Sequence, residues 1–91
     1  MRVLYLHGFA SGPNSLKAKY FAKKLQSAGI KYQILDLNLG DFSNVTPTKA
    51  LAYIHSLIQN EETILIGSSL GGLYGLITAE QEQMISKLIL L

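Results

Sequence analysis

Apolar and polar residues come in blocks along this chain, and the blocks predict its elements. Arg2–Leu6 (RVLYL) is apolar throughout after Arg2 and is closed by His7-Gly8. That is the pattern of a strand buried on both faces. The loop HGFASGPNS, dense in Gly, Ser and Pro, follows. From Leu16 to Ala28, the residues Ala18, Phe21, Ala22 and Leu25 recur at helical spacing, with Lys17, Lys19, Lys23 and Lys24 opposite them. This predicts an amphipathic helix, capped by Asn14 or Ser15 and ended by Gly29 as its C′ residue. Tyr32–Leu37 (YQILDL) mixes polar and apolar positions and reads as a second strand nearer a sheet edge. Thr46-Pro47 starts a second helix, with Ala50, Ile54, Leu57 and Ile58 as its buried stripe. Thr63–Ile66 is a third strand, Leu70 to about Gln83 a third helix, and Lys87–Leu91 (KLILL) a fourth strand.

The order β-α-β-α-β-α-β implies an α/β fold with a parallel sheet between helices, a three-layer α/β/α sandwich. Right-handed crossovers and a switch point between the first and third strands give the expected strand order 2-1-3-4. Residues 1–91 form a single domain in this reading. The last strand, KLILL, is expected to leave an apolar edge through which the chain could associate with itself or with a complementary chain.

Composition narrows the function. Hydrophobic residues make up 48% of the 91 and charged residues only 15%. The charged share is well under the roughly 25% usual in soluble domains, so the chain reads as part of a larger domain, mostly interior. There are no cysteines, which excludes disulfides and thiolate metal sites. The apolar run before His7 is too short for a signal-peptide core or a membrane span, so a cytoplasmic protein without membrane contact is expected. The four lysines of the first helix supply half of the eight basic residues. They read as a solvated helix face, so no nucleic-acid partner is expected.

The chemistry is concentrated in ILIGSSLGG, residues 64–72. GSSLG fits G-x-S-x-G with Ser69 at its centre. At average glycine and serine frequencies a chance match in a chain of this size is about 3%, and the strand before and helix after make this one more specific. A turn tight enough to lift a serine out of a buried strand brings its flanking residues into collision, hence Gly67 and Gly71. The hydroxyl then stands at the carboxyl end of the sheet beside the free backbone N–H of Leu70, where the helix dipole favours an oxyanion. The loop after the first strand lies beside this turn if strands one and three are neighbours. Gly8 there lets the Phe9 N–H face the same space, and two such donors make an oxyanion hole.

RVLYLHGFASGPNS followed by ILIGSSLGGLYG resembles the α/β-hydrolase family, and more narrowly the YqiA-like small bacterial esterases, whose HGF-S-P loop and GSSLGG elbow match residue for residue. The similarity spans essentially the whole chain. It implies Ser69 as nucleophile and the Phe9 and Leu70 amides as oxyanion donors, with His7, Gly8, Gly67 and Gly71 as supports of loop and elbow. It also implies hydrolysis of a small carboxylic ester with no metal or organic cofactor. The family places its acid and then its histidine after the serine. Here only Glu80 and Glu82 follow, and both histidines, His7 and His55, precede it. The resemblance thus covers the first half or so of the family fold, with the triad partners expected beyond residue 91 and this chain inactive or weak by itself. His7 is expected to hold its loop, His55 to be a surface or boundary residue inside the second helix, and Asp36 to cap or brace a turn. A nucleotide-binding half-domain is the rival: Gly8-x-x-x-Gly12 follows a strand and Asp36 ends the next, but the third glycine is missing and no G-K-[ST] occurs.

Overall fold

The computed structural model describes residues 1–9 and 11–91. Its elements are β1 (Arg2–Leu6), α1 (Leu16–Ser27), β2 (Tyr32–Ile34), α2 (Pro47–Leu57), β3 (Thr63–Gly67), α3 (Leu70–Gln81) and β4 (Ile85–Leu90), with a 3₁₀ turn at Phe42–Asn44. The four strands make one sheet in the order β2-β1-β3-β4, and all three pairings are parallel. This is the expected order, with the crossover from β2 to β3 passing over β1.

Alternation along β1 decides the layers. Val3 and Tyr5 join Ala18 and Ile66 in a core under α1, with Phe21 and Leu25 packed against it. Leu4 and Leu6 point the other way and join Leu65, Ala50, Ile54 and Tyr74 under α2 and α3. Both faces of β1 and β3 are therefore covered, as their unbroken apolar runs require.

The caps follow the sequence. Ser15 Oγ accepts from the Ala18 N–H at 3.1 Å, and Thr46 Oγ1 from the Lys49 N–H at 3.2 Å with Pro47 beginning the helix. Gly29, at φ 71°, ends α1, and the Ile30 N–H reaches back to the Leu25 carbonyl. The φ is one that glycine adopts freely.

The strands differ most from expectation at the end of the second and the start of the fourth; the third ends one residue later, at Gly67, and the fourth ends one residue earlier, at Leu90. The second strand is Tyr32–Ile34 rather than Tyr32–Leu37. Its ladder with β1 ends at Ile34, and one more bond, Leu35 N–H to the Tyr5 carbonyl, follows at 3.1 Å. Asp36 then turns the chain. Leu35 and Leu37 are buried all the same, so burial rather than pairing explains their apolar character. The fourth strand begins at Ile85, two residues early, because Ile85 pairs with Thr63 across a bulge that leaves Ser86 extra. β4 is an edge strand, and Ile89 and Leu90 are exposed on it.

The third helix carries its small residues inward. Gly71, Gly72, Tyr74, Gly75 and Thr78 are buried, whereas Leu73 and Leu76 are exposed. A Cβ on Gly75 would lie 2.8 Å from Leu88 Cδ1, so glycine there lets β4 pack beneath the helix.

Candidate active site

The turn between β3 and α3 holds two serines, and their environments differ. Ser68 continues the sheet, its N–H donating to the Leu6 carbonyl at 3.0 Å. Its hydroxyl is half-buried and accepts from Lys17 Nζ at 3.3 Å. Tyr5 lies beneath it; burial raises the phenol above its ordinary value of 10.0, with the Ser68 hydroxyl pulling the other way. Ser69 is exposed and stands at φ 56°, ψ −121°. Its side chain makes no capping bond to α3 although it occupies the N-cap position. A residue with a Cβ reaches such a conformation only when its surroundings hold it there.

The surroundings are glycine. A Cβ on Gly67 would meet Gly72 Cα at 2.5 Å and the Gly71 oxygen at 2.7 Å. One on Gly71 would run into the Leu6 carbonyl oxygen and sit 2.6 Å from that of His7. Both contacts are backbone against backbone, so neither neighbour can swing aside. Gly8 closes the third side: its Cβ would lie 3.0 Å from Ser69 Cβ and 3.7 Å from Ser69 Oγ. The loop after β1 thus comes within touching distance of the Ser69 side chain. Leu70 opens α3, and its N–H finds no backbone partner among the described residues, as expected for a first helical amide. The Phe9 N–H is likewise without one among the described residues.

His7 is 3% exposed and fully engaged. The Leu37 N–H donates to its Nε2 at 2.9 Å. A backbone N–H can only donate, so Nε2 carries the lone pair and Nδ1 the proton, which goes to the Gly8 carbonyl at 2.9 Å. The Asp36 carboxylate 3.9 Å from Nε2 then faces a lone pair, not a proton, and makes no ion pair with this ring. His7 ties the loop after β1 to the end of β2. Asp36 braces the next turn, its two oxygens accepting from Asn38 N–H at 3.0 Å and Gly40 N–H at 3.1 Å. Asn38 Nδ2 in turn donates to the Ser11 carbonyl at 2.8 Å, joining the two loops.

The remaining histidine is remote. His55 Nδ1 lies 2.9 Å from Glu82 Oε2, and Glu82 caps the far end of α3. Ser69 caps the near end of that 12-residue helix, so the two sites are roughly 18 Å apart at 1.5 Å per residue. No imidazole of residues 1–91 reaches Ser69. Among the described residues no cluster of His, Cys, Asp or Glu could hold a metal ion, and no helix is long and apolar enough to cross a membrane.

Beside the serine lies a cavity of about 180 Å³, bounded by Gly8, Phe9 and Leu70 on one side and Phe42, Val45 and Pro47 on another. Tyr74 and Leu37 extend its apolar wall, and His7, Asn38 and Thr46 give it a polar edge. The Phe9 and Phe42 rings meet edge to face, centroids 5.6 Å apart. The sequence reading missed this cavity. Its signal was Phe42, a large apolar residue alone in the polar run Asp41–Asn44.

Residues 2–90 match the family described as Uncharacterised protein family (UPF0227). No curated protein and no solved structure matches the chain.

Proposed function

The chain belongs to the UPF0227 family, and from that premise and the Ser69 turn we propose that it carries the nucleophile half of a serine hydrolase acting on small carboxylic esters. In this reading it is an α/β-hydrolase of the YqiA-like kind, with Ser69 as nucleophile. The observation that carries the reading is an exposed serine held at φ 56° between close-packed glycines, at the start of a helix. A strained pose of this sort tends to serve a function, and here it presents an uncapped hydroxyl beside the Leu70 amide.

The Ser69 oxygen attacks the ester carbonyl, and the carbonyl oxygen, gaining negative charge, is held by the Leu70 and Phe9 N–H groups and the α3 dipole. The hydroxyl proton passes to a general base. His7 does not serve, since its one lone pair is occupied by the Leu37 N–H. His55 does not serve either, its Nδ1 lying 2.9 Å from Glu82 Oε2 at the far end of α3, so imidazole added in solution stands in for the base in the test below. The alcohol leaves with a proton, and water releases the acid from Ser69. Asp36, whose place at the end of β2 could suggest a ribose contact, already spends both oxygens on backbone amides, which disfavours a dinucleotide.

The test is acyl transfer from p-nitrophenyl butyrate in the presence of added imidazole, read by peptide mass spectrometry. Acyl groups should accumulate on the peptide carrying Ser69 and disappear in Ser69→Ala. Without imidazole the rate should stay within the ~10³–10⁴ over water that an oxyanion hole and binding sustain unaided. Acylation confined to lysines, unchanged by Ser69→Ala, would defeat the proposal.

A further inference from the structure

Resting on that esterase reading, we infer that Phe42 sets the length of acyl chain the site accepts. Strand order fixes the direction of the chain. Ser69 follows β3 and the Phe42 turn follows β2, with β1 between them. The two loops are thus about 10 Å apart, two strand spacings. An acyl group bound at Ser69 and lying in the cavity crosses the carboxyl end of β1 and ends at Phe42. At ~30 Å³ for each water-sized group, the cavity of about 180 Å³ holds about six such groups.

Phe42 is placed by its neighbours. Asp41 accepts from Asn44 Nδ2 at 2.5 Å and from Ser43 Oγ at 2.9 Å; the Asn44 bond first, then that of Ser43, holds the Asp41 carboxyl below its ordinary value of 3.8. Lys49 Nζ donates to the Asn44 carbonyl at 3.3 Å. Asp36 and Asn38 hold the start of the same segment. An aromatic ring 48% exposed in so polar a turn contributes little to either core; its contact is Phe9 across the cavity. Among the described residues lining the space there is no Asp, Glu, Lys or Arg, and the ring nitrogens of His7 are turned to Leu37 and Gly8; Asn38 and Thr46 are uncharged, and Asn38 Nδ2 is taken by the Ser11 carbonyl. The occupant is an uncharged hydrocarbon chain.

Binding tests this apart from catalysis. Linear alcohols of increasing length are titrated into the protein while the amide resonances of Leu70 and Tyr74 are followed. Affinity should rise about fourfold per carbon, the effect of burying one methylene at ~0.8 kcal/mol, and level off near six carbons. In Phe42→Ala the rise should continue for about three further carbons, and in Phe42→Leu, which keeps an apolar side chain, for one or two. The same levelling length in all three Phe42 forms, or no shift at either amide, overturns the inference. A length limit that moves with Phe42 while Ser69 never acylates defeats the hydrolase reading and leaves Phe42 as the limit for an apolar ligand.

Discussion

Replacing Ser69 with glycine should stabilise the protein, and replacing it with alanine should not. Ser69 sits at φ 56°, ψ −121°, a conformation that costs a residue with a Cβ about 1–3 kcal/mol. Ser69→Gly removes that cost. It also loosens the unfolded chain, which returns about 0.4–1 kcal/mol. Taking ~2 for the strain and ~0.7 for the chain leaves a net gain of ~1 kcal/mol. Ser69→Ala keeps the Cβ and the strain, and the hydroxyl it removes caps nothing in α3. It should fall within about 0.5 kcal/mol of the parent. For a domain of this size a gain of 1 kcal/mol raises Tm by roughly 4–8 °C. Thermal unfolding of the three proteins by circular dichroism at one concentration measures this, with urea midpoints as a second readout. A Ser69→Gly chain that melts at or below Ser69→Ala would refute strain at the turn.

Other substitutions probe the neighbouring contacts. Gly71→Ala drives a Cβ into the Leu6 and His7 carbonyls and should cost at least the ~1–3 kcal/mol of overpacking; Gly12→Ala, with nothing nearer among the described residues than Asn38 Nδ2 at 3.9 Å, is the control that should melt like the parent. His7→Leu leaves the Leu37 N–H buried without its acceptor. A loss of about 1–3 kcal/mol in urea is expected, and His7→Gln, whose amide oxygen can accept, should recover part of it; equal losses in both would show that the bond is not what matters. Glu61 accepts from Lys31 at 3.0 Å and lies near Arg2 and the N-terminus. The Lys31 hydrogen bond, first among these, holds its carboxyl below the ordinary 4.5. A depressed folded value means stability that is present above 4.5 and lost as pH falls through that lower value. Urea midpoints followed from neutral to acid pH should therefore fall less steeply in Glu61→Gln, and the gap should narrow with salt. Parallel curves would remove Glu61 from the acid limb.

The layers and strand order were legible because β1 after Arg2 and β3 after Thr63 are runs of apolar residues. Only a sheet covered on both faces uses such strands, and the helical stripes between them leave few topologies. The ends of β2 and β4 were less legible. Leu35 and Leu37 are apolar for burial beyond the ladder, and the bulge at Ser86 changes register without changing residue type. The Ser69 turn could be read because its glycines mark backbone contacts that no other residue permits. What could not be read were bonds between backbone and distant side chains. Nothing in the spacing of His7 and Leu37 says that one accepts from the other's N–H, and this bond fixes the tautomer. The cavity was equally hidden, since its walls come from four separated segments.

The geometry of Ser69 does not depend on a base. Three close approaches, Gly8 to the Ser69 side chain, Gly67 to the Gly72 backbone, and Gly71 to the Leu6 and His7 carbonyls, bind the ends of β1 and β3 to the start of α3. The ladder continues on both sides of them, through Ser68 N–H to Leu6 and Leu91 N–H to Gly67 at 2.9 Å. A strained residue persists when its surroundings over-determine it, and here those surroundings lie wholly within residues 1–91. In the proposed reaction an imidazole would take the hydroxyl proton only as the oxygen attacks, and it is not needed to set the position of the hydroxyl. Stability of the turn and acylation of the serine are consequently separate quantities. Ser69→Gly reads the first with no substrate present, and added imidazole should raise the second without altering Tm beyond what it does to Ser69→Ala. A protein that melted higher with imidazole only when Ser69 was intact would show instead that the base helps to hold the turn.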